Sequence, residues 1–307
     1  MTKTTIVSGL ALAAVLTVFP FTAFADDHQD CETGKGRDPI AACTRILDDG
    51  KLEAYQLARI LYLRGFIWDE KGEVDKALID YNRSIEVHPR IVGPFVNRGV
   101  IFAERGEYEN AIEDYSRAIE INDKFALSYE DRGLAFAEMG EHDKAIADYE
   151  SAMTLEPGTK IRVLNYRGEC HRSKGQYELA IRDFNEAIEL DRDYASAFNN
   201  RAITYRLTGE APRAKKDFER AARLDPDGDP DKMRDRGLAL FYLGRFGRAI
   251  GDFDRALRIQ PKSAMLLYFR GKVKLKDGKM EAGNADVTAA EAINPRIARA
   301  LDGYFVP

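Results

Sequence analysis

A glycine returns along this chain every 34 or 35 residues, at Gly72, Gly106, Gly140, Gly175, Gly209, Gly244 and Gly278. A period of that length, sustained over most of 307 residues, constrains the fold more than any single motif does. Each repeat is one supersecondary unit whose apolar face is covered only by its neighbours, so the chain grows lengthwise instead of closing around one large core. With 45% of its residues apolar, it has the material to fold throughout.

The positions around each glycine describe a helical hairpin. Seven residues earlier stands a small residue, Gly65, Gly99, Gly133, Gly168, Ala202, Gly237 or Gly271, which lets a second helix approach the first closely. The recurring glycine suits the point where the first helix ends and the chain turns. Five residues later comes Ala77, Ala111, Ala145, Ala180, Ala214 or Ala249, with Gly283 as the exception, and four further on an aromatic: Tyr81, Tyr115, Tyr149, Phe184, Phe218 or Phe253, with Val287 in the last repeat. That spacing stacks both side chains on one helix face. Pro89, Pro157, Pro226, Pro261 and Pro295 stop the second helix before the next hairpin begins.

Over about residues 58–297 this pattern resembles the tetratricopeptide repeat family. The resemblance implies an all-α, right-handed superhelical solenoid of helix-turn-helix repeats. Seven repeats fit, at 58–91, 92–125, 126–159, 161–194, 195–228, 230–263 and 264–297, with a C-terminal cap at 298–307 over the last apolar face. Residues 26–57 form an N-terminal segment in which 38–48 read as an isolated second helix of a degenerate repeat. Beyond the family pattern, the seventh position is always arginine (Arg64, Arg98, Arg132, Arg167, Arg201, Arg236, Arg270) and the twenty-third always aspartate (Asp80, Asp114, Asp148, Asp183, Asp217, Asp252, Asp286). A guanidinium beside a packed interface needs a partner, so these are expected to pair as an architectural ladder.

The first 25 residues read differently: Lys3, an apolar run from Ile6 to Phe19, Pro20, then Ala23-Phe24-Ala25. This is the pattern of a secretory signal cleaved after Ala25, with a retained anchor as the alternative, and it places the protein in the periplasm or outside the cell. Asp26, Asp27, His28 and Asp30 read as a mobile, solvated mature N-terminus. In an oxidising compartment Cys31 and Cys43 are the pair to join, across a turn and a helix start where Asp38 caps and Pro39 takes the first position. Two free thiols in a frayed end are the alternative, and Cys170 reads as a buried small hydrophobe.

No catalytic or metal constellation emerges. His28, His88, His142 and His171 share no ligand spacing, and Thr33-Gly34-Lys35-Gly36 lacks the full phosphate-loop pattern. Pairs such as Glu186 and Glu189 are what solvated helix faces carry when 32% of residues are charged. The chain therefore reads as a non-enzymatic protein without a cofactor. Its acidic balance and export argue against nucleic acid.

In the family it resembles, the second, fifth, ninth, twelfth and thirteenth positions of each repeat face a ligand groove. Carried over, they place residues such as Glu169, Tyr268 and Lys272 in the groove and nominate Arg162, Asn165, Arg172, Asn199, Arg206, Arg234 and Tyr242 as its binding set. Asn165 and Asn199 would serve a peptide backbone, and the arginines would serve carboxylates. The family's two-carboxylate clamp is not reproduced, since Tyr62, Val96 and Glu130 occupy the fifth position of the first three repeats. Residues 26–160 hold 17 Lys and Arg against 29 Asp and Glu, whereas residues 161–307 hold 28 against 22, so an acidic partner is expected at the C-terminal half. The function implied is a protein-interaction adaptor of the cell envelope; a self-assembling structural protein and a carbohydrate-binding module are the alternatives.

Overall fold

The computed structural model describes residues 22–36 and 38–305, so most of the expected signal, residues 1–21, lies outside the described residues. Among those described there are seventeen α-helices and no strand. None of these helices is long and apolar enough to cross a membrane. The chain divides into two units, one ending at Arg132 and one running from Gly133, and the division falls inside α7 (Ala126–Glu138).

The first unit contains α1 (Thr22–Thr33), α2 (Pro39–Asp48), α3 (Ala54–Glu70), α4 (Val74–Val87), α5 (Val92–Glu104) and α6 (Tyr108–Ile121). Asp38 caps α2 by accepting from the Ala41 N–H at 3.0 Å, and Pro39 occupies its first turn. This helix is not isolated: it packs against α1, and Cys31 and Cys43 are joined by a disulfide with their Cα atoms 4.9 Å apart. Both half-cystines are buried with Ala42, Ile46, Ile60 and Ile67, so the segment is a hairpin docked on α3. Nor is its start a solvated end. Asp27 forms an ion pair with Arg45, and the Arg59 guanidinium lies 2.9 Å from the Glu32 carboxylate. Residues on both sides of the expected cleavage point, Ala25 and Asp26, belong to α1.

The second unit contains α8 (His142–Leu155), α9 (Lys160–Ser173), α10 (Tyr177–Leu190), α11 (Ala195–Leu207), α12 (Ala211–Ala221), α13 (Pro230–Tyr242), α14 (Phe246–Ile259), α15 (Ala264–Lys276), α16 (Met280–Ile293) and α17 (Ile297–Leu301). The hairpin formed by α9 and α10 shows how the sequence builds each repeat. Gly175 has a φ of +73°, which an L side chain resists, and its N–H and that of Gln176 bond back to the Arg172 and His171 carbonyls at 2.9 and 2.8 Å. Gly168 is needed for space instead, because a Cβ there would stand 2.6 Å from Phe184 Cε1. Phe184 is fully buried in consequence.

Six of the Arg–Asp pairs lie within a single unit, and all six are bidentate. Arg64, Arg98, Arg167, Arg201, Arg236 and Arg270 each direct Nε and a terminal nitrogen to the aspartate sixteen residues on, at 2.7–2.9 Å. In most repeats the remaining nitrogen reaches back sixteen residues, as Arg98 does to Asn82 and Arg201 to Asn185 at 2.6 Å. Each such arginine therefore ties its own second helix to the second helix of the preceding repeat.

Candidate functional site

Within the second unit the first helices of successive repeats, α9, α11, α13 and α15, lie side by side and present one polar and aromatic face. The nominated groove residues lie on three of these helices, α9, α11 and α13, but many of their polar groups are engaged with other residues of the protein. The buried Asn165 donates to Glu169 Oε1 at 2.9 Å and accepts from Asn200 at 3.0 Å, and Asn200 also donates to Glu169 Oε1 at 2.7 Å. Arg172 in turn donates to Asn200 Oδ1 at 3.0 Å. Asn199, 1% exposed, gives its amide N–H to the main-chain carbonyl of Asp235 at 2.7 Å and not to a ligand backbone, while its Oδ1 has no partner among the described residues.

Arg234 is committed to Asp235 at 2.9 and 3.0 Å and to Asp231 at 2.8 Å. Burial disfavours its charge, but those two carboxylates outweigh burial and raise its pKa. Arg162 is half-buried on α9. Arg206 lies 5.2 Å above the Tyr242 ring with its Nε enclosed and unpartnered among the described residues. Tyr242 is stacked on Phe218 at 4.4 Å, and with Arg206, Lys215 and Leu243 these two rings line a cleft of about 260 Å³.

This face is not vacant. The expected C-terminal cap is only half of what the last residues do. Ile297 and Leu301 of α17 are buried in the core as a cap requires, but the 3-10 turn that follows, Asp302–Tyr304, continues onto the groove side. The Tyr304 hydroxyl donates to Glu169 Oε2 at 2.8 Å, its carbonyl accepts from the Tyr242 hydroxyl, and Arg172 lies 5.4 Å above its ring. Enclosure, and then the Glu169 carboxylate, push the Tyr304 phenol well above the usual tyrosine range. Phe305 packs edge-on to Phe241 at 5.2 Å and against Phe269 at 5.5 Å, under the Lys272 ammonium at 5.5 Å. Asp302 accepts from Tyr268 at 2.6 Å and Lys272 at 3.0 Å, which together hold its carboxyl below the usual range.

Asn200, Tyr304 and Phe305 are functional candidates outside the groove positions named from sequence, whereas Glu169, at a ninth position, was named among them. Asn200 occupies a sixth position, which that pattern does not mark. The only signal for the turn was its composition, an acid, a glycine and two aromatics directly after the cap.

Stacked helical hairpins with a side-chain-lined face define an all-α repeat protein. The chain belongs to the tetratricopeptide repeat family: models described as TPR repeat or tetratricopeptide repeat match residues 99–140 and 168–209, 126–159 and 195–227, and 234–300. It is similar to tetratricopeptide repeat protein 28 of Mus musculus, 35% identical over 98 residues, which are 32% of this chain and 4% of that protein. It is also similar to the Hsp70-Hsp90 organizing protein of Triticum aestivum, 30% identical over 92 residues, which are 30% of this chain and 16% of that protein. The match thus spans a small part of both relatives. A tetratricopeptide repeat protein from Parabacteroides merdae shares the fold at a TM-score of 0.56 and 22% identity, covering 82% of this chain and all of that one.

Proposed function

We propose that this protein is a non-catalytic interaction scaffold of the cell envelope that binds a segment of another protein on the groove formed by α9, α11, α13 and α15. One observation carries the reading: side chains from three of these four helices converge on a single short segment and grip it through its carboxylate, its ring hydroxyl and a main-chain carbonyl. A face that holds one segment in that manner has the donors, acceptors and rings to hold another. The name of the wheat relative, an organizing protein for two others, agrees with it. The envelope location rests on the Lys3 to Ala25 pattern and on the Cys31–Cys43 bond, which persists in an oxidising compartment.

The test is affinity capture from envelope extract, comparing wild type with a variant carrying Arg172→Glu and Arg206→Glu whose helical circular dichroism is unchanged. A partner recovered by wild type and lost from the variant supports the groove; identical recoveries refute it. N-terminal sequencing of the purified protein should begin at Asp26. A chain that retains Met1 to Ala25 would instead be anchored or unexported.

A further inference from the structure

The turn after α17 reports what its groove selects. We propose that the groove recognises, in a partner, a segment of the form acid, any residue, tyrosine, aromatic, and that residues 302–305 are this chain's own copy of it, holding the site until a partner displaces it. The inference rests on the groove reading above and specifies its ligand.

Each position of the segment has its own physical basis. The acid is taken by Lys272 and Tyr268. The second position is open, because a Cβ built on Gly303 meets nothing within 4 Å. The tyrosine is read most closely: Glu169 Oε1 is already occupied by Asn165 and Asn200, which leaves Oε2 for the incoming hydroxyl. Arg172 covers one side of that ring, and Phe269 meets it edge-on at 5.8 Å. A phenylalanine would lack the hydroxyl, and a phosphotyrosine would bring its charge against Glu169. The last aromatic enters the slot between Phe241, Tyr268 and Phe269.

The same contacts show why the segment can leave. The anchors of the cap, Ile297 and Leu301, belong to the core and stay in place, whereas Asp302 and Gly303 are exposed. At the end of the turn the Phe305 N–H bonds to the Asp302 carbonyl at 2.9 Å.

The experiment uses protein produced from the full sequence and a fluorescent peptide of residues 299–307, read by anisotropy. A tethered segment competes at an effective concentration on the order of millimolar. The Tyr304→Ala, Phe305→Ala double variant, checked for unchanged helicity, should therefore bind the peptide about ten- to a hundredfold more tightly than wild type. Changing the peptide tyrosine to alanine, or adding Arg172→Glu to the double variant, should abolish most of that gain. Equal affinity in wild type and double variant, or no binding to a folded double variant, overturns the proposal. If either occurs while the captured partner is still lost with Arg172→Glu and Arg206→Glu, the groove reading stands and only its ligand is wrong. A concentration-dependent dimer abolished by the tail substitutions would assign the segment to a second copy's groove and overturn the intramolecular competition.

Discussion

At the scale of single residues the arginine and aspartate of each repeat behave as one structural part. In the Arg167–Asp183 pair the aspartate side chain is 3% exposed and the arginine side chain 20%, so neither recovers full hydration if the other is removed. Breaking such a pair costs about 3 kcal/mol, whereas replacing both partners with apolar groups of similar volume is often near neutral. Asp183→Ala should accordingly lower stability by about 3 kcal/mol in urea unfolding followed by circular dichroism, and Arg167→Met with Asp183→Leu should recover most of that loss. Equal losses in both variants would mean that the bonds to neighbouring second helices matter more than the pair itself. The pairing was legible because both residue types recur at fixed positions. The bond back to the preceding repeat was not, since its acceptors change from Thr44 to Asn82 to Ser116 to Asn185 and share only polarity.

Elements at the two ends show where repeat reasoning stops. α2 was readable from its cap and proline, yet α1 was hidden because the residues that begin it also complete the signal pattern, and no repeat consensus marks it. The disulfide is what makes that short pair a unit, and its chemistry differs from that of Cys170, whose thiol burial pushes up to about 12. Alkylation followed by mass spectrometry should therefore count no modified cysteine in the native protein at pH 8. Unfolding without reductant should expose one, and unfolding with reductant three. Two reactive cysteines in the native state would place Cys31 and Cys43 apart. The turn after α17 escaped for another reason: its partner Glu169 lies 135 residues earlier in sequence, and no periodicity links the two. That the nominated positions fall on neighbouring first helices was thus legible, while the bonds their side chains make with nearby residues and with this turn arise only from packing.

For the whole molecule the informative quantity is charge by region, since residues 161–307 hold 28 basic against 22 acidic residues and the part before them is acidic. Potentials of this kind act over a Debye length, about 10 Å at 0.1 M salt, and so govern encounter more than the packed complex. The groove contacts are of the opposite kind: ring packing, and hydrogen bonds such as Tyr304 to Glu169, that form only on docking and are screened little by salt. Association and dissociation should therefore respond differently to ionic strength. For an N-acetylated peptide of residues 302–307, which carries Asp302 and a terminal carboxylate but no basic residue, on the Tyr304→Ala, Phe305→Ala variant, raising salt from about 0.05 to 0.5 M should slow association severalfold and change dissociation by less than about twofold. Stopped-flow anisotropy separates the two rates. If dissociation carries the salt dependence instead, the Asp302 carboxylate and its Lys272 partner dominate the bound state, and the aromatic slot contributes less than its geometry indicates.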